Sequence, residues 1–152
     1  MADDLSDQDW HIRFCIYRHF VDHGRPPTAA ETARDLGLAH TTVRQAYHRL
    51  HRGHAIFLEP RTDEVRIADP LSAVPTRYQV RVNGRMLYAN CAWDSLGIPA
   101  MLAADARIEA HIDDAAEPVR YSIEGGELRA DERLVVHFSL PFREWYDNMV
   151  HT

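Results

Sequence analysis

Cys91 and Asp94, three positions apart, are the residues of this sequence best suited to covalent or soft-metal chemistry. They lie in Tyr88-Ala89-Asn90-Cys91-Ala92-Trp93-Asp94, where a strand-like run gives way to a helix-like one. In a first helical turn this spacing puts both side chains on one face. Free backbone N–H groups and the helix dipole at that end favour a thiolate, so a lowered thiol pKa is expected. A thiolate is a soft nucleophile and ligand, and an adjacent carboxyl can carry a proton. A plainer reading exists. A lone buried cysteine is often inert core, and an aspartate near a helix start is often a cap. The residues alone leave both open.

Cys15 is the only other thiol, expected on the inner side of the first helix. No CxxC pair or Cys/His spacing suited to zinc is present, and two free thiols are expected rather than a disulfide. His48, His51 and His54 fall on or near one helix and read as a solvated face. His137 and His151 read as ordinary strand and terminus residues, though either is a possible ligand. Arg44, Arg49 and Arg52 form a second constellation, on a helix whose setting resembles the reading helix of a helix-turn-helix. That suggests a DNA-binding regulator, or alternatively a packing or dimerisation module.

The elements that must position these residues follow from periodicity. Residues 8–23 carry Trp10, Phe14, Tyr17, Phe20 and Val21 as an apolar stripe and stop at Gly24-Arg25-Pro26-Pro27. Thr28 and Glu31 form a capping-box pattern, opening a helix to Leu36 that ends at Gly37. A third helix covers about 41–52, with Val43, Ala46, Tyr47 and Leu50 inward and Gly53 at its close. Runs at 55–58 and 65–68, separated by the turn 60–63, read as a wing. Residues 1–70 are therefore expected to form a winged helix-turn-helix domain, with a proline-bearing linker at 69–75. The remainder, 76–152, reads as a small mixed or antiparallel sheet with flanking helices, making the chain α+β. Its elements are a hairpin, 78–82 and 86–89, turning at Asn83-Gly84, and a helix from 93 to about 104 with Pro99 near its start. Strands follow at 107–112, 119–123 and 134–140, with a turn at Gly125-Gly126 and a helix at 142–150.

Composition bounds the possibilities. The chain has 152 residues, 45% hydrophobic and 26% charged, as in ordinary water-soluble domains. Its net charge is −6, and residues 78–152 hold 7 Arg against 12 acids. That disfavours non-specific nucleic-acid binding, which depends on many cations displacing counterions. No apolar run is long enough to span a bilayer, and the acidic Met1-Ala2-Asp3-Asp4 start lacks signal-peptide character. A cytoplasmic location is expected.

The stretch from Leu87 to Ala100 is similar to the core motif of the alkylmercury (organomercurial) lyase family. It joins Cys-x-x-Asp to an apolar, Pro-containing helix after a Tyr-bearing strand. Phe138-Ser139-Leu140-Pro141 and the helix-like segment after it also resemble that family. The resemblance implies protonolysis of a carbon–mercury bond, with Cys91 as the first thiolate and Asp94 as the proton carrier. It implies no required cofactor, an organometal substrate, and mercury or another soft metal retained on Cys91 and Asp94, with Cys15 a lesser candidate, until external thiols remove it. The family's second cysteine would fall at Thr152 or just beyond, where this sequence has none. On this expectation the chain is either shortened or a member that has lost the lyase reaction. The family's downstream strand is missing as well, which would expose a sheet edge and suggests a homodimer. A thiol-dependent metal binder without turnover and a ligand-sensing regulator remain as other readings.

Overall fold

A computed structural model of the chain describes residues 5–112, 115–138, 141, 144 and 145. Among these residues it is an α+β protein with four α-helices and antiparallel strand pairing. It divides into two compact units, Met1–Val74 and Pro75–Thr152.

The first unit holds helices α1 (Asp7–His23), α2 (Ala29–Leu36) and α3 (His40–Arg52). Strands β1 (Phe57–Leu58), β2 (Val65–Ala68) and β3 (Leu71–Ser72) follow, paired antiparallel in that order. Both α1 and α2 open with a capping box. The Ser6 hydroxyl accepts the Asp9 N–H at 3.2 Å, and the Asp9 carboxylate accepts the Ser6 N–H at 3.0 Å. Thr28 and Glu31 repeat the exchange at 3.1 and 2.8 Å. Each box satisfies helix-end donors that would otherwise lack a partner. Gly24 and Gly37 then end these helices in the left-handed region.

The core of this unit is Ile12, Ile16 and Phe20 of α1 against Val43, Ala46, Tyr47 and Leu50 of α3, all fully buried. Here the α1 stripe expected from sequence is corrected. Its inner face is the i, i+4, i+8 series Ile12-Ile16-Phe20, while Trp10 and Phe14 are 49% and 58% exposed. Guanidinium groups cover those rings instead: Arg13 lies over Trp10 and Tyr17, and Arg18 over Phe14. Two buried polar groups are paired. The Tyr47 hydroxyl meets Thr32 at 2.8 Å, and Asp9 receives Arg49 at 2.8 and 3.1 Å. The segment 69–75, expected as a linker, contains β3. Its Leu71 and Ser72 are buried and pair with Ala68 and Ile67, which satisfies backbone that a linker would leave to water.

In the second unit the chain order is β4 (Tyr78–Val82), β5 (Arg85–Ala89), α4 (Ala92–Leu102), β6 (Ala106–Ala110), β7 (Val119–Glu124) and β8 (Glu127–Arg129). The strands lie side by side as β5-β4-β6-β7-β8, each pair antiparallel. Asn83 and Gly84 both have positive φ, 49° and 73°, as a two-residue hairpin turn requires. Register then aligns Leu87, Val80, Ile108 and Tyr121 in one row across four strands. Leu87, Val80 and Ile108 are buried, as are Ala89 and Ala110 in the next row, and α4 packs on β4, β5 and β6. The alternate residues form the polar face, where Glu109 and Arg120 pair across β6 and β7 at 3.0 Å.

Two expectations for this unit change. Pro99 falls in the second half of α4, not near its start, because the helix begins at Ala92. Proline there removes one helical hydrogen bond, and the helix runs only three residues further. Residues 134–138 have no regular structure, and the last described strand is β8, which pairs back on β7 through the Gly125-Gly126 turn. Residues 139 and 140 of that expected strand lie outside the described residues, as does most of the helix expected at 142–150. Of the latter, Glu144 and Trp145 are described, and the Glu144 N–H donates to the Pro141 carbonyl at 2.9 Å.

Candidate functional site

Cys91 is the N-cap of α4, two residues beyond the end of β5, with extended backbone angles of −144° and −179°. Its Sγ accepts the Asp94 backbone N–H at 3.4 Å, and its thiol donates to Asp94 Oδ2 at 3.2 Å. This is the arrangement found at Ser6/Asp9 and Thr28/Glu31, with sulfur in place of a hydroxyl oxygen. The strand end that delivers Cys91 is itself tied down, since Thr76 Oγ1 donates to the Ala89 carbonyl at 2.6 Å.

Both side chains are half-buried. Burial first, and the Asp94 charge second, push the Cys91 thiol up to about 12. The expectation of a lowered thiol pKa is therefore corrected. The Asp94 and Trp93 backbone N–H groups do favour the thiolate, but desolvation and a neighbouring carboxylate outweigh them. Burial also raises the Asp94 carboxyl, against its hydrogen bonds with Cys91. The pair is thus a thiol facing a carboxyl that takes protons more readily than an ordinary aspartate. A soft metal that displaces the thiol proton has a proton acceptor 3.2 Å away.

Two neighbours complete the surroundings. Ser95, fully buried, donates from Oγ to the Ala92 carbonyl at 2.6 Å and meets the Tyr121 hydroxyl at 2.6 Å. Trp93, 55% exposed, sets its ring edge-on to Phe138 at 6.1 Å, and Phe138 stacks on Trp145 at 5.3 Å. Neither Ser95 nor Tyr121 stands out in the sequence. The alternation in β7 puts Tyr121 on the inner face, but its pairing with Ser95, 26 residues away, has no local signal.

The other sequence candidates are placed differently. Cys15 belongs to the first unit and Cys91 to the second. Cys15 is half-buried, its Sγ is 3.9 Å from His11 Nε2, and burial raises its pKa. Arg44 bonds Asp63 at 2.6 Å, and His48 approaches the same carboxylate at 3.6 Å. Arg49 holds the buried Asp9, whereas Arg52 is exposed in the last turn of α3. His51 and His54 lie against the Phe57 ring, and His137 is exposed. His151 lies outside the described residues. Among the described residues no three His, Cys, Asp or Glu side chains gather to hold a metal, and no helix is long and apolar enough to cross a membrane.

The family model for alkylmercury lyase matches residues 71–152, more than half of the chain and all of α4. This chain belongs to the alkylmercury lyase family. Over 54 residues it is 37% identical to alkylmercury lyases of Bacillus cereus and Clostridium butyricum, a stretch covering 36% of this chain and 25% of each relative. The crystal structure of the mercury-bound form of MerB2 matches with a TM-score of 0.68 at 26% identity, over 83% of this chain and 60% of that one. The chain thus spans a quarter of the curated lyases' length and three-fifths of the solved relative's.

Proposed function

We propose that this alkylmercury lyase family member cleaves the carbon–mercury bond of an organomercurial by protonolysis, with Cys91 as the thiolate and Asp94 as the proton carrier. The observation that carries the reading is the 3.2 Å contact between Cys91 Sγ and Asp94 Oδ2, in a chain of that family. In the first step the Cys91 thiol gives its proton to the Asp94 carboxylate while Sγ bonds to mercury. The anion previously on mercury leaves. Sulfur donation, strengthened by a second thiolate, weakens the carbon–mercury bond. The proton on Asp94 then passes to the departing carbon, releasing a hydrocarbon and leaving divalent mercury on sulfur. External thiols supply the second thiolate in this scheme and carry the mercury away.

The upward direction of the Asp94 shift, caused by burial, suits a carboxyl that must take up a proton and hand it on. We read the first unit as a winged helix-turn-helix that serves packing rather than DNA recognition. The ion pairs of Arg44 with Asp63 and of Arg49 with Asp9 favour that reading over a regulator. The test is benzene release from phenylmercury in excess small thiol. Release by the intact chain that disappears in Cys91→Ser and falls at least a hundredfold in Asp94→Ala, within the usual range for general acid–base catalysis, supports the reading. Equal release by Asp94→Ala and the intact chain sinks it.

A further inference from the structure

We propose that Tyr121 is a positioning residue for the Cys91–Asp94 pair, acting through Ser95; its role in turnover rests on the lyase reading above. A hydroxyl has one proton to donate. Ser95 Oγ gives its proton to the Ala92 carbonyl at 2.6 Å, so in the 2.6 Å contact with Tyr121 it is the acceptor and Tyr121 the donor. The result is a directed chain, Tyr121 hydroxyl to Ser95 hydroxyl to Ala92 carbonyl. It ends on the residue next to Cys91.

Tyr121 is well placed to anchor that turn. It stands on β7 opposite Ile108, in the row that continues through the buried Val80 and Leu87, on the face that α4 covers. Ser95 is 0% exposed, so water cannot readily replace the tyrosine. The first turn of α4 is therefore held from two sides: by the Thr76 bond to Ala89 before Cys91, and by Tyr121 after it. The hold matters because proton transfer needs the two groups in direct hydrogen-bond contact and aligned. Sulfur is larger than oxygen, so the 3.2 Å thiol–carboxyl contact is a close one. A turn free to shift would lengthen and misalign it.

The experiment compares Tyr121→Phe, which keeps the ring and removes the hydroxyl, with Ser95→Ala and with the double variant, each shown to be folded by its thermal melt. Benzene release from phenylmercury is expected to lose about tenfold in kcat in Tyr121→Phe, part of the roughly hundredfold that a 1 Å misplacement costs. KM is expected to stay within about twofold, and the double variant should be no slower than the slower single one. A general loosening of the fold would raise KM as well, and independent roles would multiply. Unchanged kcat, a KM that rises in step, or multiplying losses would overturn the proposal. A second readout does not depend on turnover: iodoacetamide labelling at the Cys91 peptide, read by mass spectrometry, should change rate several-fold in Tyr121→Phe. If the intact chain releases no benzene, the lyase reading fails and labelling alone decides. An unchanged labelling rate then refutes the positioning role.

Discussion

The Cys91–Asp94 pair is a helix cap with sulfur in the place of a hydroxyl oxygen. Three helices of this chain start with a side chain that accepts the N–H of the residue three further on, and in each that third residue is a carboxylate. At Ser6 and Thr28 the partner is a hydroxyl with no chemistry to perform. At Cys91 it is a thiol, and the same geometry becomes a proton donor and acceptor facing each other. The closeness of Cys91 and Asp94 was therefore legible from spacing alone, and so was the cap, which the structure shows; the proposed proton transfer draws on the same contact. The direction of the thiol shift was not legible, because it depends on burial, which the local sequence does not report. Its consequence is measurable. Labelling of Cys91 by iodoacetamide at pH 8 is expected to be far slower than that of a free thiol, and its rate should still climb above pH 9, since the thiol ionises only near 12. Asp94→Asn removes the carboxylate charge and should speed labelling, about tenfold for each pKa unit recovered.

At the scale of elements, the sequence revealed what local chemistry controls. The Thr28/Glu31 box, the inner face of α3 and the Asn83-Gly84 hairpin appear where periodicity and turn chemistry put them. The inner face of α1 did not, because aromatic rings look like core until the arginines that cover them are seen in space. β3 and the Ser95–Tyr121 link likewise depend on partners that only the fold brings near. One long-range pair carries a stability prediction. Burial alone would raise Asp9, but the hydrogen bonds from Arg49 and Ser6, with the Arg49 charge, hold its carboxyl below the usual value. Stability from this pair is therefore fully present above the unfolded carboxylate pKa, about 4, and is lost as pH falls through the lower folded value. Arg49→Met strands a buried carboxylate and should cost about 3 kcal/mol in urea unfolding at pH 7. Below about pH 4 the gap between the variant and the parent should narrow. Gly84→Ala, at φ 73°, should cost about 1–2 kcal/mol in the same measurement.

Taken as a whole, the molecule has an N-terminal helical unit with short antiparallel strands and a second unit whose sheet carries α4 with Cys91 and Asp94. The whole chain's net charge of −6 and the ion pairs of Arg44 and Arg49 argue against nucleic-acid binding, in line with the packing role proposed above. Fluorescence anisotropy with a mixed-sequence duplex at physiological salt is expected to show no binding in the micromolar range, whereas micromolar binding weakened by Arg44→Ala would restore the regulator reading. The central claim is that Asp94 hands a proton to carbon while mercury stays on Cys91. Intact-mass spectrometry of the protein after one equivalent of phenylmercury tests it most directly. With one equivalent of small thiol present, the parent chain is expected to carry mercury without its phenyl group, and Asp94→Ala to carry phenylmercury intact at Cys91. A phenyl group retained on the parent chain under that same condition would contradict it.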